Sequence, residues 1–276
     1  MNYQKYGQII RKIREQSNIS LGSFNKIGVS KAALSDFERG KSMMSFGKVL
    51  EVLKYLGVGL GEFEVLANDY DMTDLRELFR KVEKASLSGD IEQLKFLSST
   101  TEKILKQKEI SISIRVIYNH VDIHELEELT EYLHTIMIWS YKELFIFYVM
   151  MDHLRPKDII SILNDFEEYA EGIYRSSEYK RALALVLMRA LTVLTYYGCK
   201  EEGELLLAAI KKYNLTDTMF LRNLFLCTEG YWIFQFEDKN RGYAISENSI
   251  RILELLGERH VIDFYKKRFK KYMNGK

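Results

Sequence analysis

The stretch Arg14–Lys41, REQSNISLGSFNKIGVSKAALSDFERGK, decides how the chain begins to fold. Ser20 is a good N-cap for a short helix that carries Leu21 and Phe24 three residues apart, and Gly28 breaks that helix. Ser30 is a second N-cap. The segment KAALSDFE behind it turns Leu34 and Phe37 inward and leaves Lys31, Ala32, Ser35 and Asp36 outside. Arg39-Gly40-Lys41 then forms a turn.

Upstream, Tyr6, Ile9, Ile10 and Ile13 share one face of a first helix that stops at Ser17-Asn18, with Arg11, Lys12 and Arg14 on its C-terminal half. Downstream, the spacing predicts a longer amphipathic helix from about Ser45 to Leu56, with Val49, Leu50, Leu53 and Leu56 toward the core. Gly57 ends it, and LGEFEVL gives a last short helix. Two short helices across a glycine turn, clasped by a helix on either side, are what presenting a helix end to a DNA major groove requires. Both serine caps also leave a helix N-terminus, with its unpaired N–H groups, where a phosphate can be received.

These residues, together with LEVLKYLGVGLGEF (Leu50–Phe63), resemble the Xre or phage-repressor type of helix-turn-helix. The resemblance rests on the Gly-Val-Ser turn, the Glu-x-Gly after the recognition helix and the closing Leu-Gly-Val. It implies that double-stranded promoter DNA is a partner. Ser30, Lys31, Ala32 and Asp36 would face base edges, while Arg11, Ser20, Arg39 and Lys41 would meet sugar-phosphate. Arg14 and Glu38 would form a structural ion pair between the first helix and the recognition helix. The chain also departs from the pattern: Ala32 and Ala33 stand where polar side chains are common, and Asp36 repels phosphate, although a carboxylate accepts from a cytosine amino group. Direct base readout is therefore thin, and DNA shape contributes more. Gly22 costs the second helix up to about 1 kcal/mol relative to alanine.

Composition agrees with a small basic head on a larger body. The formal net charge is +1, yet Met1–Leu66 holds ten Lys or Arg against six Asp or Glu, giving +4, and the remaining thirty against thirty-three give −3. A single proline, Pro156, and no alternation long enough to build a sheet predict an all-α chain; ISISIRVIY (Ile110–Tyr118) is the one strand-like run, and its surroundings favour helix. Two cysteines, Cys199 and Cys227, lie in apolar helical patterns and suggest neither a disulfide nor a metal cluster. With no signal-peptide core and no membrane-length apolar run, a cytoplasmic protein is expected.

The polar break Asn68-Asp69-Tyr70-Asp71 marks the predicted boundary between a head of residues 1–67 and a body of residues 72–276. In the body, turn-like breaks centre on Gly89, His120, Pro156, Gly198 and Lys239, at intervals of 31, 36, 42 and 41 residues. That is the spacing of helix-hairpin repeats of the tetratricopeptide kind, whose stack presents a concave binding face. A last helix with Val261, Phe264, Tyr265, Phe269 and Tyr272 caps the stack.

Head and body together resemble the Rgg/MutR family of regulators, in the body through LMRALTVLTYYG (Leu187–Gly198) and FLCTEGYWIF…ISENSIRILELLG (Phe225–Gly257). The resemblance implies a homodimer whose repeat domain binds a short signalling peptide and alters transcription of target promoters. A peptide groove needs polar groups among apolar pockets. Arg189, Arg222 and Asn223 sit in otherwise apolar helical segments, with Tyr148 and Tyr231 to flank them; each is equally readable as a satisfied helix residue. Arg189 stands out, because LVLMRALTVL surrounds an isolated charge that needs a partner.

Catalysis finds no support. His120 and His124 lack the glutamate directly after the first histidine and the third ligand of a zinc protease, so no metal is expected. Glu125, Glu127, Glu128 and Glu131 read as a solvated acidic face, and no cofactor motif is present. Two other readings stay open: a protein-interaction adaptor built on the repeats, and a DNA-binding regulator that senses a small apolar molecule.

Overall fold

Residues 3–67, 75–169, 179–257 and 259–273 are described by a computed structural model of the chain, and helix is the only regular secondary structure among them. The chain is all-α. It divides into two compact units, Met1–Glu77 and Leu78–Lys276. The break read at Asn68–Asp71 lies outside the described residues.

The first unit runs α1 (Tyr3–Gln16), a 3-10 helix (Leu21–Ile27), α2 (Lys31–Glu38), α3 (Phe46–Leu56) and α4 (Leu60–Ala67). Ile10, Phe24, Val29, Leu34, Phe37, Val49, Val52, Leu53 and Phe63 fill its core. Local chemistry sets the punctuation. Ser30 accepts a hydrogen bond from the Ala33 amide at 3.2 Å and so starts α2. Gly28 turns left-handed at φ 73° behind the 3-10 helix. Past α3, the amide of Val58 reaches back to the Leu53 carbonyl around Gly57. Helices α1 and α2 meet backbone to backbone: a Cβ on Gly7 would stand 1.9 Å from the Phe37 carbonyl oxygen.

Two expectations are corrected. Ser20 precedes the short helix Leu21–Ile27, which is 3-10, but does not cap it through its side chain: its hydroxyl bonds the Ser23 hydroxyl at 2.9 Å rather than a backbone amide. On α3 it is Val52, fully buried, that faces the core, whereas Leu50 is exposed.

Helix α5 (Leu75–Ser88) begins just before the division, and the second unit continues with α6 (Ile91–Lys103), α7 (Lys108–Ile117), α8 (Ile123–His134), α9 (Tyr141–Met150), α10 (Pro156–Tyr169), α11 (Lys180–Tyr196), α12 (Lys200–Lys212), α13 (Met219–Phe236), α14 (Lys239–Leu256) and α15 (Arg259–Met273). Each of the five predicted breaks falls at a helix end. Helices α7, α9, α11 and α13 pack in succession as one row, α8 meets α10, and α11, α13 and α15 take α12, α14 and α14 as neighbours. This is the neighbour-to-neighbour packing of stacked helix hairpins. One apolar core, from Ile112 to Leu253, runs through the row.

The run Ile110–Ile117 is helical. The acidic segment is less uniform than its charge suggested. Glu125 completes a capping box with Asp122 and pairs with Arg115 at 2.5 Å, and Glu128 pairs with Lys108 at 2.6 Å. Glu125 and Glu128 are therefore tied down rather than merely solvated.

Candidate functional site

The recognition helix α2 is short, and its orientation rests on its two ends. At the N-terminus Ser30 caps and Lys31 and Ala32 are exposed. At the C-terminus Glu38 is buried, and Arg14 from α1 grips it with two parallel bonds, Nε to Oε1 at 2.6 Å and Nη2 to Oε2 at 2.8 Å. The third arm, Nη1, donates to the Ile19 carbonyl at 2.9 Å, so one guanidinium joins α1, the following loop and α2. The hydrogen bond to Glu38 is the main reason the Arg14 pKa lies above its ordinary value.

The other residues read as DNA contacts are distributed around this helix. Asp36 is half-buried and pairs with Arg39 at 3.0 Å, while Arg39 Nε also donates to the Ser35 carbonyl. Asp36 thus spends part of its charge on the neighbouring cation, which softens its repulsion of phosphate. Lys41 is exposed, and its amide closes the turn on the Asp36 carbonyl. Arg11 is exposed and holds Glu15 at 2.8 Å. Ser20 is exposed at the start of the 3-10 helix.

The second unit holds a cavity of about 80 Å³ between α9, α11, α13 and α15. Tyr148, Arg189 and Tyr231 line it with Thr192, Cys227 and Thr228. Arg189 is 6% exposed. Its Nη2 meets Asp152, its guanidinium lies 5.9 Å from the centre of the Tyr148 ring, and Nε and Nη1 find no partner among the described residues. Burial pushes the Cys227 thiol up to about 11 and the Tyr231 phenol to about 12, so both are neutral at physiological pH. The site has two or three polar edges in apolar walls and no nucleophile ready to react.

Arg222 and Asn223 are not brought to this cavity. Arg222 is exposed on α13. Asn223 turns into the seam with α14, where Nδ2 donates to the Ser249 carbonyl at 3.0 Å and the Ser249 hydroxyl bonds Oδ1 at 3.0 Å. Those bonds engage both ends of the amide inside the fold. Sequence reasoning missed Asp152, Arg268 and Tyr272. Arg268 was hidden in KKRFKK, yet it lies three and four positions from Tyr265, Phe264 and Tyr272, on the aromatic stripe of α15.

Among the described residues no group of three or more His, Cys, Asp or Glu is placed to hold a metal, and no helix is long and apolar enough to cross a membrane.

A helix-turn-helix unit followed by a stack of helix hairpins defines a class, that of DNA-binding transcription regulators, which are not enzymes. Residues 10–63 match the helix-turn-helix family, and residues 90–267 match the family described as HTH-type transcriptional regulator Rgg, C-terminal domain. The chain belongs to the Rgg family of transcriptional regulators. Its fold is similar to that of a Listeria monocytogenes EGD-e protein at TM-score 0.79, with 17% identity over 100% of both chains. It is similar to Streptococcus dysgalactiae SHP pheromone receptor Rgg2 (C45S) at TM-score 0.76, with 20% identity over 97% of this chain and 99% of that one. A bacterial peptide pheromone/receptor complex matches at TM-score 0.65, with 14% identity over 99% of each.

Proposed function

We propose that this chain is a homodimeric regulator that acts inside the cell, reads promoter DNA with α2 and its flanks, and is switched by a short signalling peptide on the face formed by α9, α11 and α13. The observation that carries the sensing half is Arg189, a buried cation with two nitrogens unpaired among the described residues beside a cavity. Unsatisfied buried donors are rare, and a binding site is one reason to keep them. Two of the similar structures are of a pheromone receptor and a peptide pheromone/receptor complex, which supports a peptide as the ligand class.

The reading half rests on Ser30, Lys31 and Ala32 standing exposed at the start of a helix locked by Arg14 and Glu38. One such helix reads few base pairs, so a two-fold dimer supplies the second half-site. Leu255 and Leu256, 82% and 74% exposed at the end of α14, support an interface between copies there. Replacing both with Glu is expected to shift the mass in light scattering from dimer toward monomer without changing the helical content. A variant that stays dimeric at micromolar concentration would move the interface elsewhere.

The decisive experiment is binding to the DNA upstream of the chain's own gene over a range of salt. Arg11→Ala is expected to weaken all sequences alike and to lower the log–log salt slope by about one. Lys31→Ala is expected to cost roughly 1–3 kcal/mol on the preferred site and to narrow its margin over other sequences. No detectable binding at low salt would refute the DNA reading and leave the repeats as an adaptor.

A further inference from the structure

The cavity beneath α15 carries more positive charge than its own walls balance. Among the described residues its lining includes two cations, Arg189 from α11 and Arg268 from α15, and no acidic side chain. Both reach one side chain, for the Arg189 guanidinium is 5.9 Å from the centre of the Tyr148 ring and Arg268 Nη1 donates to the Tyr148 hydroxyl at 3.4 Å. Arg189 pairs with Asp152 through Nη2, and Arg268 has no carboxylate partner among the described residues, which leaves two cations against one carboxylate. Glu83 and Arg181 pair with each other at 3.0 Å. They add nothing net.

A cation without a carboxylate partner is costly in apolar surroundings, as Arg268 is among the described residues, and Arg189, though paired with Asp152, keeps Nε and Nη1 unpaired there. A carboxylate answers both deficits, because it brings one negative charge and acceptor oxygens without donors of its own. The walls beyond the arginines are Leu185, Met188, Leu224, Phe269 and Met273, which suit a hydrocarbon chain. At about 80 Å³ the cavity is roughly half the size of one known to hold benzene, enough for a carboxylate and a few carbons but not for a whole peptide.

We propose that this cavity is a carboxylate site in which Arg189 and Arg268 hold the anionic end of an otherwise apolar ligand, with α15 as one wall of the site. The proposal deepens the sensing reading above and rests on this face being a ligand site. The ligand is either a free apolar acid or the C-terminus of an apolar peptide, and the shared chemistry is the carboxylate. Helix α15 closes on the ligand through Arg268 rather than giving way to it.

Calorimetric titration of the full chain separates these sources, using hexanoate against hexanamide, and acetyl-Leu-Ala-Phe-Leu as the free acid against its C-terminal amide. Each bound acid is expected to exceed its amide roughly tenfold or more in affinity. Arg189→Gln and Arg268→Gln are each expected to lose about tenfold for the acid and little for the amide, with Arg268→Lys recovering part of the loss. Circular dichroism melts check that these variants fold, and Arg268→Lys, which keeps the charge, carries the test if Arg268→Gln does not fold. Hydrogen exchange in residues 259–273 is expected to slow on adding hexanoate.

Equal binding of acid and amide overturns the carboxylate site while leaving a peptide groove standing. Discrimination between hexanoate and hexanamide with neither peptide bound supports the carboxylate site and removes the peptide. No binding by any of the four overturns both. Faster exchange in α15 on adding hexanoate would overturn its part as a wall.

Discussion

Glu38→Ala is expected to unfold the helix-turn-helix unit in the intact chain while the hairpin stack keeps its own melting transition. The substitution removes both acceptors of the Arg14 fork and leaves a guanidinium with 10% side-chain exposure beside an apolar core. Breaking a buried pair from one side costs about 3–5 kcal/mol, because the remaining charge is stranded rather than released to water. At the usual stability per residue a unit of about sixty-five residues holds only about 3–10 kcal/mol, so the loss takes much or all of its margin. The damage also spreads along the chain, since the same arginine ties down the Ile19 carbonyl ahead of the 3-10 helix. Amides of α1 and α2 should lose their hydrogen-exchange protection together, and DNA binding should vanish at every salt concentration. Lys31→Ala touches no such network and should alter DNA affinity with no change in protection. If Glu38→Ala kept native protection in α1 and α2, the pair would not be what holds the recognition helix.

The contrast explains what was legible in the sequence. Caps and turn glycines act locally, so Ser30, Gly28 and Gly57 could be read from their immediate neighbours, and the helix ends followed. The hairpin spacing was readable for the same reason, because every second turn carries Gly, Pro or a polar cluster. The turns at residues 104–107 and 135–140 carry weaker signals, whereas the polar run at 214–218 was readable and falls between two of the five breaks. Longer-range facts were harder to see. Arg189 and Asn223 look alike in sequence, each a polar residue among apolar ones. Their fates diverge because the next helix places Ser249 against Asn223 and nothing against two of the Arg189 nitrogens. Whether Asn223 is satisfied depends on the register of α14 on α13, a quantity that no periodicity within one helix contains.

That register makes Gly242→Ala the substitution with the largest expected effect in the second unit. In an exposed helix the exchange gains up to about 1 kcal/mol, and Gly47, whose added Cβ would meet nothing within 4 Å, should show that gain. At Gly242 the added Cβ would stand 2.3 Å from the Phe234 amide nitrogen and 2.5 Å from the Gly230 carbonyl oxygen, and both are backbone atoms. No side-chain rotation relieves such a contact, so α13 and α14 must part. Parting them strains the bonds that cross the seam, Ser249 to Asn223 and the 2.9 Å bond from the Ser246 hydroxyl to the Cys227 carbonyl. Each buried polar group left unpaired costs about 1–3 kcal/mol, which outweighs the helix gain and makes the net change a loss of roughly 3 kcal/mol or more. Cys227, Thr228 and Tyr231 belong to the helix that is displaced, and they line the cavity. The melting point of the hairpin stack and the affinity for hexanoate should therefore fall together in Gly242→Ala, whereas Gly47→Ala should raise stability in the first unit and leave hexanoate binding alone. A Gly242→Ala chain that melts like the parent would mean that the seam yields without cost, and the close approach of α13 and α14 would then have no part in holding the cavity in shape.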